Sequence, residues 1–121
     1  MNTFLIAILS IAISVAAQFS LKAGMSSVVV KEALSQPFEF QTVLTVFFNK
    51  FVLGGFVLYG LGAIVWLAVL SKWDVSKAYP LVGLGFALTV GVGYLMGEHV
   101  TISRVVGVVL ICSGVFVMGR T

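Results

Sequence analysis

The stretch FVLGGFVLYGLGAIVWLAVL, Phe51–Leu70, runs for twenty residues without one charged side chain. As a helix rising about 1.5 Å per residue, such a run is roughly 30 Å long, the thickness of the hydrocarbon core of a bilayer. It is continuously apolar rather than alternating, which excludes a strand of a membrane barrel. Lipid offers the backbone no hydrogen-bond partners, so a helix that satisfies them internally is the remaining form. Three further apolar runs flank it, at Thr3–Leu21, Ala78–Met96 and Ile102–Met118, the last with Arg104 near its start. Across all 121 residues, 60% are hydrophobic and 9% charged, with a mean hydropathy of +1.18. No water-soluble domain hides that much apolar surface. The expectation is an all-α integral membrane protein, residues 1–121 forming a single domain of four transmembrane helices.

Little chain remains outside these spans, which leaves no room for a soluble catalytic domain. There is no phosphate-binding loop, no metal-ligand spacing and no nucleophile–base set, so neither an enzyme nor a cofactor or metal is expected. The single cysteine, Cys112, lies inside the fourth span and has no partner for an intrachain disulfide. A net charge of +3 is too small and scattered for nucleic acid. It suits orientation in the bilayer and contacts with anionic membrane lipids. Ser14-Val15-Ala16-Ala17 has the small residues of a signal cleavage site, yet no Lys or Arg precedes it. The first span is therefore expected to be retained.

Between Ala23 and Lys50 the connection is too long for a hairpin. Ser27–Leu34 suits a short surface helix, and Pro37 interrupts it. Phe38–Phe48 mixes Phe, Val and Leu with Glu39, Gln41, Thr42 and Thr45, the pattern of either an interfacial helix or an extension of the second span. Trp73 is placed at headgroup level after that span, and the short link onward makes the second and third helices antiparallel neighbours. With the N-terminus inside, Lys72, Lys77 and Arg120 share its side, whereas Lys22, Lys31, Lys50 and Arg104 lie opposite. Three against four gives no orienting bias, so either both orientations insert or a partner fixes one.

Every carboxylate side chain, namely Glu32, Glu39, Asp74 and Glu98, falls between spans. An intramembrane acid is the usual proton or cation site of a small transporter, and none is present. In its place the first span carries Ser10, Ser14, Gln18 and Lys22 at four-residue spacing. Residues so spaced share a helix face, giving either hydrogen bonds to a neighbouring helix or a polar path toward a cation. Tyr59 and Trp66 lie deep enough to need partners, while Tyr79 and Tyr94 suit the interface. Lys77, Tyr79 and Arg104 are weaker path candidates at the membrane faces. Gly83, Ala87 and Gly91 form a small-residue ridge for close helix approach. Pro80 fits the first turn of the third helix, and Glu98 the positive end of the fourth. His99 lacks a second metal ligand at suitable spacing.

Gly107, Leu110, Ile111, Gly114 and Val115 read together as G-x-x-L-I-x-x-G-V, similar to the dimer contact of the small multidrug resistance proteins. With Tyr79-Pro80 and Gly97-Glu98, the chain also resembles a drug/metabolite transporter repeat. That resemblance implies a four-helix, small multidrug resistance-like fold working as a dimer. The exporters carry an essential glutamate eight residues before a lysine of the first span; counting back from Lys22, Ser14 stands there. Small flippase subunits for undecaprenyl phosphate-linked aminoarabinose are a nearer likeness, through Ser14-Val15-Ala16-Ala17-Gln18 and Ser76-Lys77-Ala78-Tyr79. What this resemblance implies is movement of a polyprenyl phosphate-linked sugar across a bacterial cytoplasmic membrane by paired subunits, as a homodimer or a heterodimer. The alternatives are a small-molecule exporter with other coupling and a non-transporting subunit of a larger complex.

Overall fold

The computed structural model describes residues 2–120. Helix α1 spans Thr3–Met25, and two short helices follow, α2 at Val28–Ser35 and α3 at Phe40–Phe47. Helix α4 covers Lys50–Leu70; α5 (Val75–Ala78), a 3-10 turn (Tyr79–Leu81) and α6 (Val82–Leu95) run on as one span; α7 covers Ile102–Gly119. Four helices are thus long and apolar enough to cross a bilayer, and the chain is an all-α, multi-pass membrane protein. The first span is four residues longer than its apolar run. It ends only where the Ser26 N–H returns to the Lys22 carbonyl.

Side-chain caps decide where the elements start. Asn2 accepts from the Phe4 N–H at 2.7 Å, Ser27 from Val30 at 3.3 Å and Thr101 from Arg104 at 3.2 Å. Asn49 accepts from both Phe51 and Val52, at 2.9 and 3.3 Å. That cap breaks the backbone between α3 and α4, so α3 is a separate helix and not an extension of the second span. The Phe47 and Phe56 rings stack at 5.6 Å between centroids, laying α3 against α4. Asn49 also donates to the Ser27 hydroxyl at 3.4 Å, tying the start of α2 to the start of α4. Pro80 sits in the 3-10 turn, where a missing N–H costs little.

Helix α1 is the centre of the assembly. It lies antiparallel along α4 through small residues: a Cβ on Gly62 would meet Ser14 Oγ at 3.0 Å and the Ser10 carbonyl at 3.4 Å. One on Gly55 would meet Leu21 at 2.6 Å and the Ala17 carbonyl at 3.1 Å, and one on Gly24 the Val52 nitrogen at 2.9 Å. Ser10, Ala17 and Gly24 are buried and seven residues apart, a repeat that keeps a seam facing one partner. On another face Ile11 and Val15 close on Gly85 of α6. The core of Ala7, Ile11, Val15, Val69, Ala78 and Leu81 lies where these helices meet.

Helix α7 leans only on the α6 side, with Ile111 and Val115 over Gly83, and none of its residues is buried. Gly91, the far end of the ridge Gly83–Gly91, has nothing within 4 Å. The α6–α7 turn closes with Gly97 at φ +91°, the Gly97 N–H on Tyr94 O at 3.1 Å and the Glu98 N–H on Gly93 O at 2.9 Å. The Glu98 carboxylate folds back over Gly93, and Thr101 rather than Glu98 caps α7. Replacing Gly97 by alanine forces a side chain into the left-handed region and is expected to cost about 1 kcal/mol. Thermal unfolding in detergent measures it.

Candidate functional site

Between α1, α4 and α6 lies a cleft of about 500 Å³. From α1 it is lined by Ser10, Ser14 and Gln18 beside Ile11 and Val15; from α4, by Tyr59, Gly62, Ala63 and Trp66. The third wall is Tyr79 and Val82 with Gly85, Phe86 and Thr89. Among the described residues, no charged one lines it.

Its polar groups divide into those already engaged and those still available. The Ser10 hydroxyl is buried and donates to the Gly62 carbonyl at 2.6 Å, so it belongs to the α1–α4 seam. Gln18 donates its amide to the Tyr59 hydroxyl, and Thr89 donates to the Gly85 carbonyl at 2.7 Å. Ser14, Trp66 and Tyr79 make no side-chain hydrogen bond among the described residues. The cleft therefore offers a hydroxyl, an indole N–H and a phenol beside broad aromatic faces. Such a set suits a hydroxylated sugar ring, which stacks on aromatics and exchanges hydrogen bonds. It supplies no counter-charge for a free cation.

The remaining sequence candidates lie elsewhere. Lys22 is exposed at the end of α1, beyond the cleft. Lys77 holds its ammonium 4.6 Å from the centroid of the Trp73 ring and lines a different cavity. Arg104 donates from Nη1 to the His99 carbonyl at 3.0 Å and braces the α6–α7 turn. Of the dimer-contact residues, Ile111 and Val115 turn toward α6, whereas Leu110 is 67% exposed and Gly107 and Gly114 have open space above them. Thr89 and Phe86 also line the cleft without having been anticipated; the one aliphatic hydroxyl of the run Ala78–Met96, on Thr89, was the available signal. The Gln18–Tyr59 bond is expected to contribute about 0.6 kcal/mol, typical of hydrogen bonds between membrane helices. A double-mutant cycle with Gln18→Ala and Tyr59→Phe measures it.

No family model and no solved structure matches the chain significantly. Curated relatives do match, and several of them are described as probable 4-amino-4-deoxy-L-arabinose-phosphoundecaprenol flippase subunit ArnE. The relative from Pseudomonas savastanoi pv. phaseolicola is 48% identical over 62 residues, 50% of this chain and 54% of its own length. The one from Erwinia tasmaniensis is 41% identical over 67 residues, 54% and 62% of the two chains. The one from Pseudomonas aeruginosa UCBPP-PA14 is 36% identical over 63 residues, 51% and 55%. This chain resembles the ArnE flippase subunits. It spans little more than half the length of the curated relatives it matches. Within the cleft, position 14 is the neutral residue Ser14.

Proposed function

We propose that this chain is a subunit of a lipid flippase, moving a polyprenyl phosphate-linked sugar between leaflets of a bacterial cytoplasmic membrane. The observation that carries the reading is the cleft itself: hydroxyls, an amide and aromatic rings, with no carboxylate, walled by helices that stand in lipid. The sugar enters the cleft against Trp66, Tyr79 and Ser14 while the polyprenyl tail stays among the acyl chains. The phosphate passes Lys22, the cation at the membrane face where α1 ends. An acid at position 14 would serve a proton or a cationic drug; a hydroxyl there serves an anionic lipid. The relatives' description as flippase subunits supports the same substrate class.

The subunit works in a pair. Helix α7 packs on one side only, and Gly107, Leu110 and Gly114 present a flat, open ridge that a second four-helix subunit, identical or similar, fits. Gly114→Leu is expected to leave the fold intact, since nothing lies within 4 Å of it, and to weaken pairing about tenfold, the effect of losing roughly 1.4 kcal/mol. Energy transfer between labelled copies in vesicles, with and without the similar subunit, reads this directly.

Binding is tested with a photoreactive undecaprenyl phosphate sugar. Crosslinks on α1, α4 and α6 peptides, displaced by the unlabelled lipid, are the expected result. Crosslinks confined to the outer face of α7 contradict the reading.

A further inference from the structure

A second cavity, of about 540 Å³, shares no lining residue with the first. It opens at the membrane face that carries the start of α1, the α4–α5 link and the end of α7. Phe4, Leu81, Leu84 and Phe116 form apolar walls, and Lys77 and Arg120 supply two positive charges from segments far apart in sequence. No acidic side chain lines it, and Asp74, which precedes α5, forms no ion pair with either cation among the described residues. Lys77 lies over the half-buried Trp73 ring instead of a carboxylate, so its ammonium keeps hydrogens for another acceptor. A guanidinium and an ammonium converging at a membrane surface, above walls of aliphatic and aromatic side chains, complement a phosphate with hydrocarbon attached.

We propose that this cavity binds a resident anionic phospholipid, its phosphate between Lys77 and Arg120 and an acyl chain along Leu81, Leu84 and Phe116. The 3-10 turn and α6 separate the two cavities, Tyr79 and Val82 lining one while Leu81 and Leu84 line the other. A lipid held here therefore stays off the proposed translocation path. It bridges the end of α7 to the α4–α5 link and steadies a helix that otherwise rests on α6 and the 3-10 turn. The site stands whether or not the chain is a flippase.

Cys112 lines the same cavity and is the sole cysteine of the chain, so its alkylation reports occupancy. The full chain is placed in nanodiscs of phosphatidylcholine alone or with phosphatidylglycerol, and reacted with N-ethylmaleimide, with the adduct counted by mass spectrometry. Phosphatidylglycerol is expected to slow alkylation roughly threefold, as when about two-thirds of the sites are filled. Lys77→Ala combined with Arg120→Ala is expected to remove that protection. Lys31→Ala, on exposed α2, is expected to keep it, which separates the site from a general surface-charge effect. The double variant's folding is checked by its circular dichroism. Equal rates in both bilayers overturn the proposal, as does protection that survives in the folded double variant. Protection by undecaprenyl phosphate but not by phosphatidylglycerol also overturns it and gives the cavity to the carrier lipid.

Discussion

Replacing Ser14 by glutamate is expected to abolish handling of an anionic lipid while leaving the four helices inserted. Ser14 is half-buried on α1, its hydroxyl without a partner among the described residues, in a cleft with no cationic side chain to neutralise a new carboxylate. An acid at the centre of a membrane helix costs about 2.5–3.5 kcal/mol on insertion scales, which a chain of this hydropathy tolerates. The same charge repels the phosphate of an incoming substrate. A loss of roughly 3 kcal/mol corresponds to more than a hundredfold in affinity. The loss should deepen as pH rises, because the repulsion grows with the ionised fraction of the new carboxylate. Ser14→Ala removes only a hydrogen bond, about 1 kcal/mol and therefore roughly fivefold. Lipid binding by the two variants at acidic and neutral pH distinguishes charge from shape. Equal losses in both would mean that charge at this position is irrelevant.

The second large effect falls on the α1–α4 seam. Gly55 faces Leu21 and the Ala17 carbonyl so closely that an added Cβ would lie 2.6 and 3.1 Å from them. Leucine there must push α4 away from α1, and overpacking of this kind typically costs about 1–3 kcal/mol. Gly60→Leu is the matched control, because that position on the same helix has nothing within 4 Å. Chemical unfolding in detergent should show Gly55→Leu strongly destabilised and Gly60→Leu near the parent. Because Gly62 and Tyr59 hold the cleft from the same helix, Gly55→Leu should also disturb substrate binding.

The four spans were legible because hydrocarbon leaves a chain so few choices: an unbroken apolar run must be helical and long enough. The caps were harder to see, since Asn49 looks like any polar loop residue until its carbonyl oxygen is found on two backbone N–H groups. Only part of the polar stripe lines the cleft, for a geometric reason. Four residues turn a helix by 400°, so each step drifts about 40° and three steps drift about 120°. Ser10 consequently turns its hydroxyl to α4 at the edge of the cleft, Ser14 and Gln18 line it further round, and Lys22 lies beyond it. Seven residues drift only about 20°, which is why Ser10, Ala17 and Gly24 hold one seam through two heptads. The same rotation parts Lys77 from Tyr79: two positions apart, they sit on opposite sides and line different cavities. The ridge on α7 divides likewise, Ile111 and Val115 packing inside the chain while Leu110 stays exposed. Sequence spacing identifies a face; only the neighbouring helices decide what that face meets.

The most direct test of the central claim is lipid translocation in reconstituted vesicles. An undecaprenyl phosphate-linked aminosugar is incorporated into both leaflets, the outer amines are blocked with a membrane-impermeant reagent, and newly exposed amine is followed with time. The account predicts exposure dependent on this chain, alone or with a similar small subunit, suppressed by Ser14→Glu and unaffected by Lys31→Ala. Exposure no faster than in protein-free vesicles, with either subunit arrangement, would contradict it.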